Sequence, residues 1–260
     1  MPLSPKDLED LQYAKDLLEH PSLGAKITSA IGFPIEKGFE LLPARWSETV
    51  NRLTRETLQK ALDFTLRTMD ARSIRPPANL VHKIMAAASG AGGGAFGLAA
   101  LPVELPVSTM IILRSIADIA RSEGELITSP ESKLACIEVF ALGGRSGSDD
   151  AAKTGYFQVR AALAKAVSEA AQYIAERGLL EESAPAIVRF LAQIASRFSV
   201  SVSQKAAAQM VPIVGAAGGA IVNLVFIDHF QDVGRGHFIV RRLERSYGAD
   251  EVRRAYDRLS

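Results

Sequence analysis

The chain has 260 residues, 48% of them hydrophobic and 23% charged, which supplies one sizeable core and excludes a disordered or fibrous protein. Lys and Arg number 30 against 29 Asp and Glu, so the formal net charge of +1 gives no excess that would select nucleic acid as a partner. A single cysteine excludes an intramolecular disulfide and a multi-cysteine zinc or iron–sulfur site.

The opening MPLSPKDLEDLQYAKDLLEH lacks the basic stretch and apolar run of a secretory signal and predicts an unexported, cytoplasmic chain. Ser4 suits a helix N-cap and Pro5 the first helical position, and Leu8, Leu11, Leu17 and Leu18 then form an apolar face that His20-Pro21 ends. Gly24, Gly32, Pro34, Gly38 and Pro43 predict short helical pieces or an irregular connection. Trp46, Val50, Leu53, Leu58, Leu62, Leu66 and Met69 recur at three to five residues, the mark of a long amphipathic helix, and Arg75-Pro76-Pro77 stops it. Farther on, Ser129-Pro130 opens a helix that Gly143-Gly144 closes, Gly178 punctuates the next, and Gly248 reads as a stop with Asp250 as the N-cap of a restart. Alternating β-branched and aromatic runs are almost absent, and no Asn-Gly or Asp-Gly turn occurs. The fold class is therefore all-α: a single compact helical domain over residues 1–260, of about nine or ten helices, with residues 143–150 (GGRSGSDD) as a mobile connection.

Residues 84–103 and 206–227 carry no charge, and each is about long enough to span a bilayer. Their Gly and Ala content weakens membrane insertion, so two readings stand side by side: a pair of buried central helices, or a membrane-inserted hairpin or interfacial anchor. The six residues from Gly90 and the six from Gly215 match at five positions. Small residues four apart, as at Gly90/Gly94 and Gly215/Gly219, allow close helix crossing, in a soluble core as well as in lipid.

Chemistry-bearing residues concentrate after this. In LPVELPVSTMIILRSIADIARSEG the prolines Pro102 and Pro106 precede a helix carrying Arg114, Asp118 and Arg121 on neighbouring turns. Glu104, Arg114, Asp118 and Glu123 are ligand or ion candidates if they converge, while Arg114 and Asp118 are equally an ordinary i,i+4 pair. Gly92 to Gly97 fits G-x-G-x-x-G but follows a helical pattern instead of a strand, and no P-loop exists, so no nucleotide site and no cofactor are expected. His229 and His237, eight apart with Asp228 and Asp232 nearby, lack a metal-binding spacing and read as polar, partly exposed helix residues; no metal is expected. Cys136 in LACIEVF reads as a buried thiol, and Ser146 lacks the second glycine of a nucleophile elbow, so no catalytic residue is assigned. Arg241, Arg242, Arg245, Arg253 and Arg254 make the C-terminal region a candidate contact for an anionic surface, against a solvated helix balanced by nearby acids.

The run from Gly90 through LPVELPVSTMIILRSIADIARSEGE to CIEVFALGG, then VPIVGAAGGAIVNLVF and RRLERSYGADEVRRAY, resembles the EcsC family of bacterial proteins from about residue 41 to 256. The resemblance implies a context, since that family is named for a protein encoded beside an ABC transporter, and implies no reaction. It singles out Glu104, Pro106, Arg114, Asp118, Glu123, Glu138, Gly215, Gly219, Asn223, Glu244 and Gly248 as positions inside family-like motifs. The expectation is a non-enzymatic helper or adaptor acting at or near a membrane or transport complex, with a ligand-binding protein or enzyme built on a carboxylate–arginine pocket as the alternative.

Overall fold

A computed structural model describes residues 2–19, 22–68, 97–144, 155–177, 184–211 and 215–259. Among them are ten α-helices and no strand: α1 (Pro5–Glu19), α2 (Leu23–Ile31), α3 (Ile35–Glu40), α4 (Trp46–Thr68), α5 (Leu101–Ser122), α6 (Pro130–Leu142), α7 (Tyr156–Arg177), α8 (Pro185–Gln209), α9 (Gly215–Tyr247) and α10 (Ala249–Arg258). A 3₁₀ turn, Gly97–Ala100, leads into α5. The all-α reading holds.

The helix signals act locally as expected. Ser4 Oγ accepts from the Asp7 amide at 3.2 Å, and Ser22 and Ser129 cap α2 and α6 in the same way. Gly32 ends α2 at φ 66°, a left-handed position that glycine adopts without strain. Two boundaries differ. Gly248, at φ 86°, is itself the N-cap of α10, so Asp250 lies inside the first turn, where its charge meets the positive end of the helix dipole. Helix α5 begins before its prolines: Pro102 sits among the first amides, which have no intrahelical partner, and Pro106 is carried inside the helix.

Helix α6 is the centre. Every residue from Ser132 to Leu142 is buried, because α4, α5, α7, α8 and α9 all pack against it. The 33-residue α9 runs past α1, α2, α5, α6, α8 and α10, and α8 joins α3, α4 and α7 to this assembly. Phe140, Phe198, Phe226 and Phe230 stack where α6, α8 and α9 meet, with ring centroids 4.7–6.2 Å apart in tilted and edge-on pairs.

The uncharged segment 206–227 is no single helix, for α8 ends at Gln209 and α9 starts at Gly215. No described helix is long and apolar enough to cross a membrane. Gly90, Gly94 and most of residues 84–103 lie outside the described residues, as does the proposed crossing of their helix with Gly215 and Gly219. Close approaches occur at other glycines: a Cβ on Gly38 would strike the Ala207 carbonyl of α8, and one on Gly144 the Arg197 carbonyl. Gly143 and Gly144 are buried instead of mobile, because the Gly143 carbonyl accepts from His229 Nε2 at 2.8 Å and from Ser201 Oγ at 3.4 Å. Residues 145–150 of that connection lie outside the described set.

Candidate functional site

The charged residues of α5 are spread along it. Glu104 and Glu123 are separated by about 28 Å of helical rise, too far to share one small ligand. Glu104 is buried and meets the fully buried Lys205 of α8 at 2.5 Å. Lys205 Nζ also donates to Asn223 Oδ1 of α9 at 2.7 Å and to Ser108 Oγ at 3.3 Å, and the Phe226 ring lies 4.8 Å away. Gln209 donates to the second oxygen of Glu104 at 3.2 Å. Burial pulls the Lys205 pKa down while Glu104 opposes the shift. This charge cluster is closed, with its donors used up between three helices.

Arg114 is exposed, and Asp118 pairs with Arg121 at 2.7 Å, three residues on, and not with Arg114. Glu123 meets Arg242 at 2.9 Å; Arg242 also binds Asp10 at 2.6 Å and Asp7 at 3.4 Å, tying α1 to α9. Arg241 takes Glu125 in a two-pronged contact at 2.9 and 3.2 Å, joined by Arg245 and by Ser132 Oγ at 2.7 Å. Burial works against the charge on Glu125, but the hydrogen bonds from Arg241 and Ser132 hold its carboxyl below the usual range. Arg254 pairs with Glu251 at 2.8 Å. Of the five C-terminal arginines, Arg253 alone is neither buried in nor drawn into such a pair among the described residues; it lies over the Phe157 ring, 5.8 Å from its centroid.

Arg253 stands at the mouth of a cleft of about 740 Å³ between α6, α7, α9 and α10. One wall is α7, where Ala161, Ala164, Ser168, Ala171 and Ala175 recur at three and four residues and leave room that larger side chains would fill. Opposite stand Glu131 and Glu138 of α6, Arg241 and Glu244 of α9, and Asp250 and Arg253 of α10. Arg160 of α7 grips Glu244 through both guanidinium nitrogens, at 2.8 and 3.0 Å, and donates to Tyr156 Oη at 3.2 Å. Tyr156 in turn lies 2.9 Å from His237 Nδ1. The Tyr156 hydroxyl and Nδ1 share one hydrogen bond, while the buried Nε2 of the same ring has no partner among the described residues. Burial, then Arg160 and Arg241, push the His237 pKa well down, so this histidine is neutral.

Two groups of this region lack a hydrogen-bond partner among the described residues: the buried His237 Nε2, and the carboxyl of Glu138, which is only 5% exposed and lines the cleft. Burial pushes the Glu138 pKa up to about 7, against the pull of Arg160 and Arg241 and with the help of Glu244. A carboxyl group that changes protonation near neutrality at the floor of a cleft can accept or donate a hydrogen bond to a bound molecule.

Both histidines of α9 are buried, not partly exposed, because neighbouring helices surround this part of α9. His229 donates to a backbone carbonyl and His237 bonds Tyr156. Among the described residues no group of three His, Cys, Asp or Glu side chains could hold a metal ion. Cys136 is buried in α6 and its thiol is pushed up to about 12, chiefly by burial. Sequence reasoning missed Lys205, Tyr156, Arg160 and the alanine stripe of α7. A period of three to four in small residues, on an otherwise charged helix, was the available signal for the cleft wall.

The EcsC protein family profile matches residues 16–243, taking in Glu138, Arg160 and Arg241 but stopping before Glu244 and α10. No curated protein and no solved structure matches the chain.

Proposed function

We propose that this chain, which belongs to the EcsC protein family, is a binding protein for a small organic molecule, with its site in the cleft between α6, α7, α9 and α10. The observation that carries this reading is Glu138: a buried carboxyl without a hydrogen-bond partner, facing a cavity of the size that small ligands occupy. Around it Arg160, Glu244, Arg241 and Glu125 hold one another in fixed geometry, so a ligand meets a preformed floor. A fragment library followed by amide NMR on the full chain tests the reading. Shifts grouped at Glu138, Phe157, Ala164 and Arg253 are expected, and shifts scattered over the surface, or none, would remove it.

Membrane proximity is a second reading, favoured by a separate observation. Val103 is 74% exposed, and Val107 and Ile221 are also exposed, close in sequence to Glu104 and Asn223 of the Lys205 cluster. Apolar side chains grouped at one end of two adjacent helices suit a lipid surface or a membrane transport protein. The arginines contribute less than their number suggests, with Arg241, Arg242 and Arg245 engaged internally. Flotation with vesicles should therefore respond to Val103→Ser/Val107→Ser more than to Arg253→Gln/Arg254→Gln; the reverse order, or no flotation, counts against apolar contact.

A further inference from the structure

We infer that the ligand of this cleft is a small organic amine, its protonated nitrogen seated between the Glu138 carboxyl and the Phe157 ring and its apolar body lying along the alanines of α7. This rests on the ligand-binding reading of the cleft and adds the chemical class.

Three observations point to a cation. At the floor the guanidiniums are committed, Arg160 to Glu244 at 2.8 and 3.0 Å and Arg241 to Glu125 at 2.9 and 3.2 Å, while the Glu138 carboxyl is not. In its ionised form the group left to satisfy only accepts hydrogen bonds, and the complement of that form is a charged donor. Five carboxylates and three guanidiniums line the space, so its field favours positive charge. Phe157 already carries cations against its π-face, with Arg160 at 5.9 Å and Arg253 at 5.8 Å. Arg253 is exposed and free to swing aside, leaving that face to an ammonium. An anionic ligand could meet the unpaired Arg253, but to seat its charge near Glu138 it would have to draw Arg160 or Arg241 from a two-pronged carboxylate and then lie beside Glu138, which costs on both counts.

Protonation sharpens the expectation. Arg160 on α7 and Arg241 and Glu244 on α9 act on the Glu138 charge, the buried Tyr156 hydroxyl of α7 interacts with it, and Glu131 on α6, Glu176 on α7, and Asp250 and Arg253 on α10 line the same cleft. With Glu138 titrating at about 7, an alkylammonium binds the ionised form, so affinity rises about tenfold from pH 6 to pH 8 while the amine itself stays protonated.

Calorimetric titration of the full chain with n-hexylammonium, 1-hexanol and hexanoate at pH 6, 7 and 8 decides it. The ammonium is expected to bind at least tenfold more tightly than either control, to gain about tenfold between pH 6 and 8, and to lose both the affinity and its pH slope in Glu138→Gln. A thermal melt confirms that Glu138→Gln folds. Binding of hexanol or hexanoate instead, abolished by Phe157→Ala, would overturn the amine assignment and leave the cleft a ligand site. Binding of none of the three would overturn the assignment and count against the cleft itself.

Discussion

Replacing Lys205 with methionine is expected to destabilise the fold by about 3–5 kcal/mol, whereas Lys205→Met combined with Glu104→Leu should recover most of that loss. The single variant leaves a buried carboxylate without its cation: Asn223, Ser108 and Phe226, which surround the ammonium, and Gln209, which donates to Glu104, offer it no compensating charge. The double variant removes both ions and fills their space with apolar volume. Urea unfolding at pH 8 measures both, and a second series at pH 5 adds a signature: a lone buried carboxylate escapes part of its penalty by taking up a proton, so the single variant should lose less at the lower pH. A loss below about 1 kcal/mol in the single variant would mean that water reaches Glu104 and that the closed cluster is misdescribed.

This pair shows what the sequence offered and what reading it along the chain overlooked. Residues 84–113 contain one charge, Glu104, and residues 198–227 contain one, Lys205. Two isolated opposite charges in two long apolar stretches are expected to find each other, because neither can be buried alone. Taken as units the uncharged runs match bilayer length, whereas the charges that border them, Glu104 and Lys205, pair inside the protein. Helix type, the caps Ser4 and Ser129 and the stops at Gly143 and Gly248 were legible because they depend on neighbours in sequence, although Gly248 itself takes the capping place expected of Asp250. Contacts between helices were not. Nothing local says that Arg242 reaches Asp7 and Asp10 of the first helix, or that Gly144 rests on the Arg197 carbonyl. The candidate site was legible only in part: Glu138 and Arg241 were singled out, but on different grounds, and Arg160, which faces both, was not. Their meeting depends on the order in which α6, α7 and α9 pack, and periodicity within one helix carries no such information.

Glu138→Gln should make the fold more stable at pH 8, by about 3 kcal/mol, and leave it nearly unchanged at pH 4. The sign follows from which state holds the proton. In the unfolded chain the carboxyl releases it near the ordinary value of 4.5, whereas in the folded chain burial holds it to about 7. Between those values the folded state binds more protons, so the contribution of Glu138 is fully present below pH 4.5 and is lost as pH rises through 7, where ionising the buried group opposes folding. Glutamine keeps the shape, cannot ionise, and removes that loss. Arg160 and Arg241 already lower the pKa and Glu244 raises it, so the residual shift is the balance of every charge facing the carboxyl, with burial dominant. Chemical denaturation of the two proteins across pH 4–8 checks the prediction: the gap should open from near zero and level off above pH 7. A constant gap, or none at pH 8, would mean that Glu138 has a partner in solution. A substitution that stabilises the protein while abolishing amine binding would identify Glu138 as a group retained at the expense of the fold, which is the behaviour of a binding-site carboxyl and not of a structural one.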